Sequence, residues 1–166
     1  MPQAVTHVIV PILIVAIIRD FIVKKRFSTF YVLVAGISGL IPDLDITVYW
    51  FLNIFSKVPL SMVHRWFFHS IFIPIFFLAL ALILYKKRKY FLFFEMVALG
   101  TFIHIILDLL LAGYVRPLYP LSSIQIGLNI IPPTEMGNTI MLGIDAILLV
   151  LWLIWEYKQR NIKDYI

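Results

Sequence analysis

Apolar residues run along this chain in long blocks rather than at the three-to-four-residue spacing of an amphipathic helix. That is the pattern of helices surrounded by lipid. Five blocks approach or exceed the roughly 20 residues that cross a bilayer. They are Ala4 to Val23, Phe27 to Ile41, Met62 to Tyr85, Tyr90 to Tyr114 and Thr139 to Tyr157. The second is short and stops at Pro42, so it ends below the membrane surface. Ile46 to Phe55, with Trp50, is apolar but too short to span, and reads as an interfacial or re-entrant helix. Between Val115 and Asn138 the chain carries Pro117, Pro120, Gly127, Pro132, Pro133 and Gly137, which is loop chemistry. No internal repeat is present. The pattern predicts an all-α fold: a polytopic transmembrane helix bundle of about five spans, with residues 1–166 forming one membrane domain.

Composition strengthens this reading. Hydrophobic residues make up 62% of the chain and charged residues 14%, against roughly 45–50% and about 25% in soluble domains. No basic segment precedes the first block and no small-residue cleavage site follows it, so it is expected to stay in place as a helix rather than be removed as a signal peptide. The net charge of +5 is less informative than its distribution. Numbering the loops alternately gives one side Arg19, Lys24, Lys25, Arg26, Lys86, Lys87, Arg88, Lys89, Lys158, Arg160 and Lys163. The other side receives Lys57, Arg65 and Arg116. By the positive-inside rule the N-terminus lies outside and the C-terminus in the cytoplasm, as an odd number of spans requires. These clusters read as topology signals in a plasma (inner) membrane, not as a nucleic-acid surface.

The polar residues then gather at one level. His7 starts span one, and Asp43 and Asp45 end span two. His64, Arg65, His69 and Ser70 start span three, with His64 in the first helical turn. His104 and Asp108, four residues apart and so on one helix face, lie in the outer half of span four. Ionisable groups at membrane depth are costly and tend to be functional. The bland alternatives are an interhelical hydrogen bond for a single histidine, a helix cap for Asp45, and an ion pair of Asp108 with Arg65 or Arg116. Imidazole and carboxylate are ligands of zinc, manganese and non-haem iron. With no cysteine in the chain, thiolate ligation is excluded. The expected metal ligands are His7, Asp43, His64, His69, His104 and Asp108, enough for one or two ions. Asp45 is expected as a further ligand, a supporting partner or the general base. Arg65 is expected to bind an anionic substrate, and Ser70 to orient a ligand histidine. Glu95 is expected to be unrelated, Glu135 lies in a loop within reach of the site, and the role of Asp145 is open.

The ordered set Thr6-His7, Gly39-Leu40-Ile41-Pro42-Asp43-Leu44-Asp45, His64-Arg65, His69-Ser70, Gly100 with His104 and Asp108, and Pro120 resembles the YdjM-type family. These are membrane-bound metal-dependent hydrolases, also described as LexA-binding and inner-membrane-associated. The early Thr-His, the Gly-x-x-x-Pro-Asp turn and the Gly-x-x-x-His-x-x-x-Asp helix are more distantly similar to zinc-dependent phospholipase C. The sequence departs from that soluble pattern in its hydrophobic ligand helices and in having no histidine after His104. The resemblance implies a zinc-dependent hydrolase acting on a phosphoester of a lipid or lipid-linked substrate at the outer leaflet. A competing class is a non-enzymatic membrane protein: a metal-ion transporter or sensor, or a structural or regulatory partner.

Overall fold

A computed structural model describes residues 4–24, 27–60, 63–111, 113–132 and 134–159. Met62, Lys25, Arg26, Pro133, Arg160 and Lys163, all used in the sequence reading, lie outside the described residues. Among those described, six α-helices carry the fold. They are α1 (Ala4–Ile17, continued by a π-helical turn Ile18–Ile22), α2 (Thr29–Ser38), α3 (Asp45–Phe55), α4 (Phe72–Ile83), α5 (Arg88–Leu110) and α6 (Glu135–Gln159).

Three helices are long and apolar enough to cross a membrane: Ala4–Ile22, Arg88–Leu110 and Glu135–Gln159. A fourth crossing arises if α2 and the Pro42–Phe55 segment, bent by 42° from each other, count as one span. At 1.5 Å per residue, α5 with its 23 residues is about 34 Å long, enough for a hydrocarbon core of about 30 Å. The expected span from Met62 to Tyr85 is shorter than anticipated. Its helix covers only Phe72–Ile83, 12 residues, preceded by turns and a 3-10 turn at Phe67–His69. His64 therefore lies ahead of α4 rather than in its first turn. The reason is a tertiary contact: Arg65 adopts φ +65°, and its N–H donates to the Asp45 carboxylate instead of a helical carbonyl. Pro74 falls in the first turn of α4, where its missing N–H costs nothing. At the other end of the long loop, α6 begins at Glu135 rather than Thr139.

The core lies where α1, α2 and α5 meet. Ile12, Val15 and Ala16 from α1 pack with Val32, Val34 and Ala35 from α2 and Met96 and Val97 from α5. α4 covers α5, and α6 lies along α1. Small residues let the backbones approach, as is usual where lipid gives no hydrophobic drive to helix association. A β-carbon on Gly100 would collide with the Ala35 carbonyl, and one on Gly39 with the His7 carbonyl. Ser28 caps α2, its Oγ accepting from the Phe30 N–H.

Charge sorts to the two ends of the bundle. At one end, the π-helical turn folds Arg19 inward, only 4% exposed. Its Nη1 lies 2.9 Å from Asp20 Oδ1 and its Nε donates to the Phe27 carbonyl. The Trp155 indole N–H donates to the other Asp20 oxygen, tying α6 to α1. Lys24, Lys86 to Lys89 and Lys158 follow the chain at this same end. The histidines gather at the opposite end. Thr6 donates there to both carboxylate oxygens of Asp145, at 2.8 and 2.9 Å, the second tie between α1 and α6.

Gly100→Leu should destabilise the bundle by about 1–3 kcal/mol, the usual cost of overpacking. Unfolding in detergent checks this. A variant as stable as the parent would mean that the α2–α5 contact is looser than described.

Candidate metal centre

Each segment delivers its polar residue by a different device. α1 starts just before His7, and the stop at Ser38 lets residues 39–44 turn Asp43 and Asp45 under the bundle. The non-helical stretch before α4 frees His64 and His69 to point back inward. On α5, His104 and Asp108 share one face, as their spacing requires. His7, His69, His104, Asp45 and Asp108 are all essentially sequestered from solvent, and Asp43 is partly exposed.

Three donor groups are close enough to hold an ion: His7 with His104 and Asp108, Asp43 with His69 and His104, and Asp45 with His64 and His69. The centre of the arrangement is a pair of imidazoles. His104 Nε2 and His69 Nε2 are 3.2 Å apart. His104 Nδ1 sits 2.6 Å from the Gly39 carbonyl, which can only accept. Nδ1 therefore carries the hydrogen, and the neutral ring turns its Nε2 lone pair toward His69. His69 Nδ1 lies 3.2 Å from Asp45 Oδ2, although not in hydrogen-bonding direction. In the tautomer with its hydrogen on Nδ1, His69 turns its own Nε2 lone pair toward the first.

Two carboxylate oxygens complete the set. Asp43 Oδ1 lies 3.6 Å from His69 Nε2 and 3.7 Å from His104 Nε2. Asp108 Oδ2 lies 3.4 Å and 3.8 Å from the same two atoms. Four donor atoms thus form two triangles on a shared imidazole edge, with sides of 3.2 to 3.8 Å. Ligands about 2.0–2.1 Å from a tetrahedral zinc lie roughly 3.3–3.4 Å from each other. Lone pairs converging at that spacing repel unless a proton or cation sits among them. The donor set therefore fits a divalent metal: His69 and His104 would hold it with Asp43, and Asp108 lies near the same pair.

The remaining residues surround that set. His7 stacks on His104, ring centroids 3.7 Å apart, and its Nε2 is 3.4 Å from Asp108 Oδ1. Arg65 Nη2 donates to the same Asp108 oxygen at 3.0 Å, so Asp108 pairs with Arg65 rather than Arg116. Asp45 is a hub: Oδ1 lies 2.9 Å from His64 Nδ1, and Oδ2 accepts the Arg65 N–H at 2.8 Å. Among the described residues, buried nitrogens with no hydrogen-bond partner remain at His7 Nδ1, His64 Nε2 and His69 Nδ1. Of these, His7 Nδ1 and His64 Nε2 are spare coordination capacity in a site built from imidazole.

One expectation needs correction. The Ser70 hydroxyl donates to the Phe67 carbonyl, so it braces the turn that carries His69 and does not touch a ring. Glu135 sits exposed at the start of α6, among none of the three donor groups. Glu95 is part-buried on α5, nine positions before His104 and also outside those groups. Two partners were not read from the sequence. The Gly39 carbonyl is a backbone group and leaves no side-chain signal. Asp145 did leave one, as an acid within an apolar span, but only the fold shows it held by Thr6 beside His7.

A family model described as YdjM inner membrane protein matches residues 1–162. No curated protein matches the chain. No solved structure matches it either.

Asp45→Asn should weaken zinc affinity by about 10–100-fold, as loss of a group that orients ligand histidines does. Competition with a zinc chelator measures it. Unchanged affinity would mean that Asp45 orients nothing the ion needs.

Proposed function

The chain belongs to the YdjM inner membrane protein family and is an integral inner-membrane protein, and on that premise we propose that it is a membrane-bound metal-dependent hydrolase. Its substrate is a phosphoester of a lipid or lipid-linked molecule, cleaved at the outer leaflet. The observation that carries this reading is the pair of Nε2 atoms 3.2 Å apart, flanked by two carboxylates and an arginine. Zinc is the metal proposed, as one or two ions, with manganese or iron compatible with the same donors.

A divalent ion in such a site supplies Lewis acidity and makes water a usable nucleophile near neutral pH. The chain's own residues do the rest. Gly39 and Asp45 hold the two imidazoles in the orientation that exposes Nε2. Asp108 anchors Arg65, and Arg65 lines an open cavity beside the cluster. From there its guanidinium binds a phosphoryl group and stabilises the negative charge that develops as the ester breaks. The apolar packing of Ile12, Val15, Val32 and Met96 fills the bundle away from the site. That favours chemistry at one end over transport through the middle.

The same reading sets the topology. α1, α4 and α6 run away from the site and α2 and α5 run toward it, as five crossings require, with α3 interfacial or re-entrant. The basic end then faces the cytoplasm and the site faces outside.

Two experiments test these points. His104→Ala and Asp108→Ala should insert normally, yet lose metal, measured by mass spectrometry, and phosphodiesterase activity on membrane lipids. Full metal retention in both would refute the assignment. The chain has no cysteine, so a single Ser122→Cys reports sidedness cleanly. A membrane-impermeant maleimide should label it in intact cells, and labelling only after lysis would reverse the orientation.

A further inference from the structure

Beside the donor cluster lies a cavity of about 500 Å³, lined among others by His64, Arg65, Trp66, Arg116 and Gln125. Its wall is built with care. An antiparallel bridge joins Val115 and Ile126 through two N–H···O bonds of 2.9 and 3.0 Å. That register sets Arg116 opposite Gln125 on one face of the loop. With its carboxamide oxygen turned toward the arginine, Gln125 accepts from Nη2 at 2.6 Å and from Nε at 3.2 Å. The guanidinium lies over the Trp66 ring, 4.3 Å from its centroid, and Trp66 is braced edge-on by Tyr119. The Pro117 carbonyl accepts the Ile71 N–H, fastening this loop to the turn that carries His69.

Arg116 is thus held in a fixed plane by neutral partners. It makes no ion pair among the described residues, whereas Arg65 is paired with Asp108. A guanidinium has five donors, and Gln125 takes two of them. On the same cavity wall, the buried His64 Nε2 has no hydrogen-bond partner among the described residues. Gly113, at φ +108°, completes the wall: a β-carbon there would fall on Arg65 Nη1. The same loop exposes bulky apolar side chains, with Leu121 80%, Ile124 66% and Leu128 62% exposed. An uncompensated, preoriented arginine on a loop that exposes apolar side chains suits a ligand with an anionic head and a hydrocarbon tail.

We propose that this cavity is the head-group subsite for an anionic, phosphate-bearing amphiphile, and that Arg116 is the residue that selects an anionic head over a zwitterionic one. This rests on the reading of the neighbouring cluster as a phosphoester site. It adds a residue that contacts the substrate without holding the metal.

The full chain in phosphatidylcholine nanodiscs tests this by calorimetric titration, with zinc and after chelation. The probes are dihexanoyl phosphatidic acid, dihexanoyl phosphatidylcholine and inorganic phosphate. Phosphatidic acid should bind more tightly than either of the others. Arg116→Ala should weaken it tenfold or more at unchanged zinc content, and Arg116→Lys should restore part of the loss. Arg116→Gln serves as the second neutral variant if the alanine variant does not fold, with the same loss expected. Parental affinity in a folded neutral variant would overturn the proposal. Inorganic phosphate binding as tightly as phosphatidic acid would overturn the amphiphile assignment. Arg116-dependent binding without any hydrolysis would leave this subsite standing and remove the hydrolase reading. Hydrolysis with Arg116-independent binding would do the reverse.

Discussion

Ionisable groups inside a helix bundle must compensate one another, because neither lipid nor a packed core can solvate them. Here that constraint is met by convergence. His7, His69, His104, Asp45 and Asp108 are all buried, and each lies against another member of the set or a fixed backbone group. The arrangement depends on short fixed contacts: His104 Nδ1 on the Gly39 carbonyl, and Asp45 against His64 and the Arg65 N–H. Those contacts decide which nitrogens face inward. The helix packing and the broken segments then follow from the need to bring four stretches of chain to one point.

The helix breaks are accordingly part of the site. α2 ends at Ser38, α4 begins only at Phe72, and the residues between these helices and the lipid-spanning blocks carry Asp43, Asp45, His64 and His69. A continuous helix would have turned half of these groups toward lipid. The left-handed backbone at Arg65 gives up a helical hydrogen bond and gains one to Asp45. Gly39 and Gly100 let α1, α2 and α5 approach closely enough for His7 to stack on His104. The bundle's other end solves the same problem differently, with Arg19, Asp20 and Trp155 in a local network.

Much of this was legible in the sequence. The long apolar blocks marked α1, α5 and α6, and the four-residue spacing of His104 and Asp108 put both on one face. The Pro42-Asp43-Leu44-Asp45 turn was visible from its proline. Hydrophobicity alone did not separate the α4 helix from the turns before it, because Trp66, Phe67, Phe68 and Ile71 carry apolar residues back past the helix start. What stops the helix is a tertiary contact, the Asp45 carboxylate on Arg65, which no local pattern encodes. The Gly39 carbonyl and the opposition of Arg116 to Gln125 were hidden for the same reason. The first is backbone, and the second depends on a bridge between residues eleven apart.

The central claim is that His69 and His104 face one metal ion through Nε2. X-ray absorption at the zinc edge of the purified, zinc-loaded protein tests it most directly. The account predicts a nitrogen and oxygen shell at about 2.0–2.1 Å with at least two imidazoles. In His104→Ala one imidazole should be lost. An unchanged imidazole count in that variant, or zinc that the parent does not retain, would contradict it.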